Sequence, residues 1–509
     1  MQNLTMRGSV KAALLLTVLA LGLRFFVALG VADDCSGDGP LYEQIAVNLL
    51  EGHGYSTETE EPYRPTLVRM PGYPAVLAAT FALSGKGNAA AVHAVQAVAD
   101  TGTCWAAALL CVLWAPVSWD RERRRLASLS AFALLAICPF TMVYAGTLLT
   151  ETWALFFGTL CVLAGSWALK AEGQGLTRWT ATGLLGGAAC LFRPDSGLLL
   201  AALGTALAGA DMAEVYGAMR SAGAGGRPAA AQAGRMILRG AVLSLAFAAV
   251  LAPWAVRNAL TFGVFQPLSP AAASMPGEFV PYGYGAWVKT WLTEPKYIEL
   301  FVWPVDERPM DPSGLPSGAT DSPKERERVL ALFEAYNHGE QRPEAGGAIR
   351  VPVPQMTPPL DAEFGALARQ RAQAHPLRCF VLLPARRAWA LWFDTHSVYY
   401  PFDGDLFPLS GLSAKGGEVI FLPLFYLTTW IYTALALVGA LVLWRSPGSG
   451  RWAVLLALLF IPRLLFMAGL ANPEPRYMVE MFPFVAAAGG TALAFFLKPG
   501  AVNQEKQIK

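Results

Sequence analysis

Apolar residues gather into ten long runs, at roughly 10–31, 88–115, 127–144, 149–169, 179–193, 195–211, 237–256, 418–444, 452–470 and 478–497. A helix needs about 20 predominantly apolar residues to cross a bilayer, so each run is read as a span. The fifth and sixth are short and are separated only by Phe192-Arg193-Pro194-Asp195. The first follows Arg7 and Lys11, as a cleaved signal segment would, but its length and its internal Arg24 favour a retained span. Cations recur at alternate gaps: Arg7 and Lys11; Arg121 to Arg125; Lys170 and Arg178; Arg220, Arg227, Arg235 and Arg239; Arg445 and Arg451; and Lys498, Lys506 and Lys509. By the positive-inside rule these gaps and both termini are cytoplasmic. The Asp38 loop and a long stretch from Arg257 to about Glu418 then face out.

The outer segments have patterns of their own. In the first, about 31–87, Asp33, Asp34 and Asp38 precede Pro40, which suits a first helical turn, and Gly52 suits the helix end. Between them Leu41, Ile45 and Leu49, flanked by Tyr42, Ala46 and Leu50, make one apolar stripe, predicting a helix lying in the membrane interface. The second outer segment is rich in Pro, Gly and charge between Pro304 and Pro359. From Ala374 to Trp392 it turns apolar and aromatic, but Arg378, Arg386 and Arg387 argue for a surface-lying helix over an eleventh span. The stretch 215–235, rich in Ala and Gly, reads as a flexible connector. The expected organisation is a membrane core over 1–256, a periplasmic segment over 257–417 with interfacial helices, and C-terminal spans over 418–509.

Composition agrees with the pattern. Of 509 residues, 54% are hydrophobic and 15% charged, against about 25% charged in soluble domains; mean hydropathy is +0.39. The fold class read from this is an all-α polytopic membrane protein. A net charge of +2 gives no reason to expect a nucleic-acid partner. Cys104, Cys111, Cys138, Cys161 and Cys190 fall in apolar runs and read as small packing residues. Cys35 and Cys379 are the pair able to meet an oxidising compartment. The five histidines show no paired spacing that would build a zinc site.

Candidate chemistry clusters at the outer ends of spans. Arg69, Arg193, Arg257 and Arg476 all fall there. Arginine pairs with phosphate in two-pronged fashion and keeps its charge; each residue's alternative is to snorkel to the interface. Glu151 opens the fourth span, where it could position an acceptor, bind a divalent cation with Asp38, or complement the helix dipole. Arg24 lies within a span, a costly place for a charge unless it faces a cavity or a partner. His93, Gln96 and Asp100 form a polar stripe in the second span that suits hydrogen bonding within a bundle. Tyr73, Trp254 and Tyr477 suit an aromatic belt, and Tyr477 is also a candidate to touch a sugar.

Several of these patches resemble one family. DGPLYEQIAVNLLEGHGY followed by VRMPGYP resembles the first periplasmic loop of GT-C glycosyltransferases, in the branch of protein O-mannosyltransferases and lipid A aminoarabinose transferases. TLLTETWAL, LFRPDSGLLL, APWAVRNALTFGVFQPLS and NPEPRYMVEMFPF are similar to later landmarks in the same order. The resemblance implies a GT-C-type bundle of about ten spans, a polyprenyl-phosphate sugar donor, and transfer to a lipid, glycan or protein acceptor. It also implies a multi-pass protein of the bacterial inner membrane with a periplasmic site. Asp38, with Tyr42 four residues on, takes the general-base position. Asp34 is the alternative, because protein O-mannosyltransferases carry an Asp-Glu pair there and this chain reads Asp33-Asp34. Asp38 also suits a plain helix cap. Tyr42, Arg69, Glu151, Arg193, Arg257, Arg476 and Tyr477 are the expected substrate-binding residues. No cofactor is required by this reading, although a divalent cation is compatible with it. A flippase of lipid-linked saccharides, an O-antigen ligase or polymerase, and an inactive assembly subunit are the competing classes; a transporter would show matched repeats, which the chain lacks.

Overall fold

The computed structural model describes residues 2–30, 37–170, 175–221, 227–270, 272–343 and 350–498. They form two compact units, one of residues 1–276, 395–461 and 479–509, the other of residues 277–394 and 462–478.

The helices of the first half follow in order: α1 (Gln2–Gly30), α2 (Gly39–Glu51), α3 (Gly72–Ser84), α4 (Ala89–Trp114), α5 (Arg121–Ala136), α6 (Pro139–Met142), α7 (Glu151–Leu169), α8 (Leu176–Phe192), α9 (Gly197–Ser221) and α10 (Arg227–Phe262). Among the described residues eight helices are long and apolar enough to cross a membrane, or nine if one bent pair counts as a span. The departures from ten are specific. The third apolar run is that bent pair, α5 followed by Pro139–Gly146 at 56°, with Pro139 unable to continue the hydrogen-bond ladder. The fifth run is α8, which has 17 residues. Two short strands, Glu340–Pro343 and Arg350–Val353, pair antiparallel in an otherwise helical chain.

The bend is stabilised from inside the bundle. Arg24 on α1 is fully buried and pairs with Asp100 on α4 at 2.6 Å. Other N–H groups of Arg24 donate to the carbonyls of Leu135 (3.2 Å) and Ala136 (2.9 Å) at the end of α5, where helix carbonyls lack intrahelical donors. Arg24 therefore neither snorkels nor reaches a ligand; it closes the end of α5 within the membrane. Helices α16 (Glu418–Arg445), α17 (Gly450–Ala468) and α18 (Phe482–Leu497) complete the set of long helices. The span ending in α18 is the most enclosed, with 83% of its apolar window buried, against 17% for that of α10. Side chains on Gly439 and Gly490 would overlap the Ala488 and Ala127 carbonyls, so small residues set these close crossings.

One end of the first unit collects the cations of alternate gaps. Lys170 donates to the Leu113 carbonyl at 3.1 Å, Arg451 to that of Leu169, and Lys498 pairs with Asp120 and Glu122. The Asp38 loop lies where α4 begins, and α4 rises about 39 Å over its 26 residues.

The second unit is built on an aromatic core of Tyr284, Trp287, Trp291, Phe301, Phe333 and Phe364. These come from α11 (Tyr282–Val288), α12 (Lys296–Phe301), α13 (Pro323–His338), α14 (Pro358–Ala374) and the turn after α11; a π-turn (Arg378–Leu382) and α15 (Leu383–Phe393) follow. Asp321 takes both guanidinium nitrogens of Arg378 at 2.7 Å, and hydrogen bonding to Arg378 holds its carboxyl below the usual carboxylate range. Cys379 is a buried free thiol; Cys35 lies outside the described residues.

Candidate functional site

Helix α2 forms as its punctuation requires. Pro40 occupies the first turn, and Gly52 ends the helix at φ 82°, its N–H bonded to the Asn48 carbonyl. Its apolar stripe divides, however: Tyr42, Ile45 and Ala46 are buried, while Leu41, Leu49 and Leu50 remain exposed. In water that split would be unfavourable; at a membrane interface the second set meets lipid.

Asp38 stands at the N-cap position of α2, yet its side chain makes no capping bond. The plain-cap reading fails for this reason. One carboxylate oxygen accepts from Arg69 Nη2 at 2.6 Å, and the pair stays 30% and 21% exposed. Asp38 is thus an anchored carboxylate with solvent access. Arg69 is fixed in turn by its backbone: the Tyr55 hydroxyl donates to the carbonyls of Arg69 and Met70, each at 3.1 Å. Tyr55 packs edge-on against Trp254, centroids 4.9 Å apart.

Arg257 lies on the same aromatic wall. Its guanidinium carbon is 5.0 Å from the Trp254 ring and 5.4 Å from that of Tyr55, while Nη1 donates to the Thr66 carbonyl at 2.6 Å and to Asn258 at 2.9 Å. Among the described residues no carboxylate pairs with it. Burial pushes the hydroxyls of Tyr42 and Tyr55 well above the ordinary phenol range, with the Asp38 charge adding to the effect at Tyr42. Both hydroxyls therefore stay neutral at physiological pH, and that of Tyr55 donates.

Arg193 differs from Arg257. It meets Glu151 at 2.6 Å, Asp195 at 3.2 Å and Glu480 at 3.3 Å, and Glu480 also accepts from Ser196 at 3.1 Å. Arg193 is thus engaged by carboxylates, whereas Arg257 is not. Sequence reasoning placed Arg193 among phosphate-binding residues and did not single out Glu480, which sits in VEMFPF with nothing local to distinguish it from a helix-dipole acid.

Gln96 joins the two acidic elements. Its amide nitrogen donates to the carbonyls of Tyr144 (3.2 Å), Ala145 (3.2 Å) and Thr147 (2.8 Å), just before Glu151. Its oxygen accepts from the Tyr73 hydroxyl at 2.8 Å, and Tyr73 stands edge-on to Tyr42 at 5.2 Å. Tyr42 feels the charges of Asp38, Arg69, Glu151 and Arg193, so these groups share one neighbourhood. Tyr73 is fully buried, which replaces its aromatic-belt reading. Tyr399, which no sequence signal marked, also reaches this region: its ring packs on Tyr144 at 5.5 Å, and a side chain on Gly37 would lie 4.0 Å from its hydroxyl.

Arg476 and Tyr477 belong to the second unit, where Glu474 takes Arg476 Nε at 2.6 Å and the Tyr477 hydroxyl at 2.7 Å. Asp34 lies outside the described residues.

No protein-family model matches the chain, and no curated protein matches it. Solved structures do resemble it. An oligosaccharyltransferase from Archaeoglobus fulgidus, tethered to an acceptor peptide, aligns at 14% identity and TM-score 0.48 over 96% of this chain. The oligosaccharyltransferase AglB from the same organism, with an inhibitory peptide and a dolichol-phosphate, aligns at 12% and 0.45 over 97%. ArnT from Cupriavidus metallidurans with undecaprenyl phosphate aligns at 14% and 0.36, covering 95% of this chain and 77% of ArnT. The chain spans about half the length of the archaeal enzymes, 49% and 50%. At these identities and scores none of the three decides what this chain does.

The divalent-cation option meets a plain obstacle. Asp38 and Glu151 each face an arginine, and no three acidic, histidine or cysteine side chains converge as a metal site among the described residues. Among the described residues the donor set does not fit such an ion.

Proposed function

We propose that this chain is a membrane glycosyltransferase. It moves a sugar from a polyprenyl-phosphate-linked donor to a hydroxyl of a lipid, glycan or protein acceptor, on the periplasmic face of a bacterial inner membrane. The observation that carries the reading is the Asp38–Arg69 pair: a solvent-reachable carboxylate with one oxygen held and no hydrogen bond to the other among the described residues, with Tyr55 linking the Arg69 backbone to Arg257, a guanidinium without a carboxylate partner among the described residues.

The chemistry follows from those charges. The acceptor hydroxyl gives its proton to Asp38 as its oxygen bonds to the anomeric carbon. The bond from that carbon to the phosphate oxygen breaks, and its electron pair leaves with the polyprenyl phosphate. Negative charge thus vanishes at Asp38 and grows on the phosphate. Protonated Asp38 releases its hold on Arg69, whose guanidinium then serves the leaving group together with Arg257. Such a transfer of ionic partners stabilises the transition state more than the ground state. The segment 257–417 is assigned to acceptor selection.

The test offers purified protein a panel of undecaprenyl-phosphate sugars, with Asp38→Asn and Asp34→Asn in parallel. Transfer lost in the first variant and kept in the second supports the assignment. Full activity in Asp38→Asn would move the base to another acid, and no transfer from any lipid-linked sugar would end the reading.

A further inference from the structure

The segment from Pro376 to Phe393 in the second unit has two unlike faces. On the inner one Cys379, Leu383, Arg387, Leu391 and Trp392 are buried. Arg387 fixes the register by donating to the carbonyls of Ala468 (2.7 Å), Lys289 (2.9 Å) and Leu292 (3.3 Å). On the outer one Leu377, Phe380, Val381, Leu382 and Trp389 are each more than half exposed. The π-turn at Arg378–Leu382 contributes directly, because its wider winding keeps three consecutive apolar residues, 380 to 382, on the outside.

Five large apolar side chains exposed on one short segment mark an interaction surface. Lipid is the partner that this face favours. The chain carries at least eight helices fit to cross a bilayer, so lipid is always at hand. The segment itself holds Arg378, Arg386 and Arg387, the last committed to three carbonyls, and cannot cross. Arg386 is exposed, four residues after Leu382 and three before Trp389, and has no acidic partner among the described residues. A cation beside a tryptophan at the edge of an apolar face complements an anionic headgroup layer. We propose that this face lies on the bilayer surface, its apolar residues among acyl chains and Arg386 against lipid phosphate.

The test uses the full-length protein with a single added cysteine, Phe380→Cys or Leu382→Cys, and Lys324→Cys on the exposed side of α13 as the aqueous control. Each is labelled with a polarity-sensitive fluorophore and reconstituted into phosphatidylethanolamine–phosphatidylglycerol vesicles, with and without doxyl-labelled lipid. Labels at 380 and 382 are expected to emit further to the blue and to be quenched by the doxyl lipid, whereas the label at 324 responds only to aqueous iodide. Adding Arg386→Glu should reduce the lipid quenching in these vesicles more than in phosphatidylcholine vesicles. Iodide quenching at 380 equal to that at 324 would overturn the proposal. Protection from both quenchers would do so too, since a protein, such as a second copy, would then cover the face. None of these readouts depends on sugar transfer, so failure here and failure of the proposed activity are separate results.

Discussion

Two ion pairs in the first unit share a separation of 2.6 Å and little else. Arg24 and Asp100 are wholly enclosed, and the remaining donors of Arg24 go to backbone carbonyls and the Cys104 sulfur. Asp38 and Arg69 are partly open, and the second carboxylate oxygen of Asp38 has no hydrogen bond among the described residues. An enclosed pair with its donors used has nothing to offer a ligand. An open pair with unused capacity can exchange partners during a reaction. Surroundings, more than the length of the contact, separate a structural pair from a chemical one.

The largest expected effect tests the open pair. Asp38→Asn should slow transfer by about 10²–10⁴-fold with undecaprenyl-phosphate binding retained, as read from initial rates and lipid binding. A rate equal to wild type would erase the contrast. The enclosed pair should answer in stability. Arg24→Leu leaves Asp100 charged and unpaired, at a cost of about 3–5 kcal/mol, seen as a lowered melting temperature in detergent. The double variant Arg24→Leu/Asp100→Leu should recover much of the loss; additive losses would mean that the carbonyl contacts matter more than the ion pair.

A smaller effect compares two arginines. Arg257→Ala should weaken undecaprenyl-phosphate binding by about 10–100-fold, the usual worth of a hydrogen bond to a charged group. Arg193→Ala should mainly reduce stability, because it leaves three carboxylates without their shared cation. Equal losses of lipid affinity would show that the acidic surroundings of Arg193 do not exclude phosphate. The smallest effect lies in the second unit. The depressed pKa of Asp321 means that its contribution is complete above the ordinary carboxylate pKa and disappears as pH falls through the lowered value. For a partly exposed pair this is worth at most about 1 kcal/mol, and Asp321→Asn should remove that part of the acid dependence of unfolding.

The sequence announced the spans well because lipid demands unbroken apolar runs. The α5 break was less visible, since Pro139 sits in a run that is apolar on both sides. Which residues of the α2 stripe are buried and which exposed was not legible for a related reason. In a membrane protein the outward face is also apolar, so hydrophobicity loses the contrast that marks a core. Asp38 and Arg69 were legible from their shared loop. Glu480 and Tyr399 were not, because they reach the site from distant segments and carry no local mark.

The single amide of Gln96 has a further consequence. By holding the peptide groups ahead of Glu151 and the tyrosine that backs Tyr42, it couples two acid-bearing pieces of backbone to one rigid post. They shift together or stay still, so the donor proposed above would meet backbone already held in place.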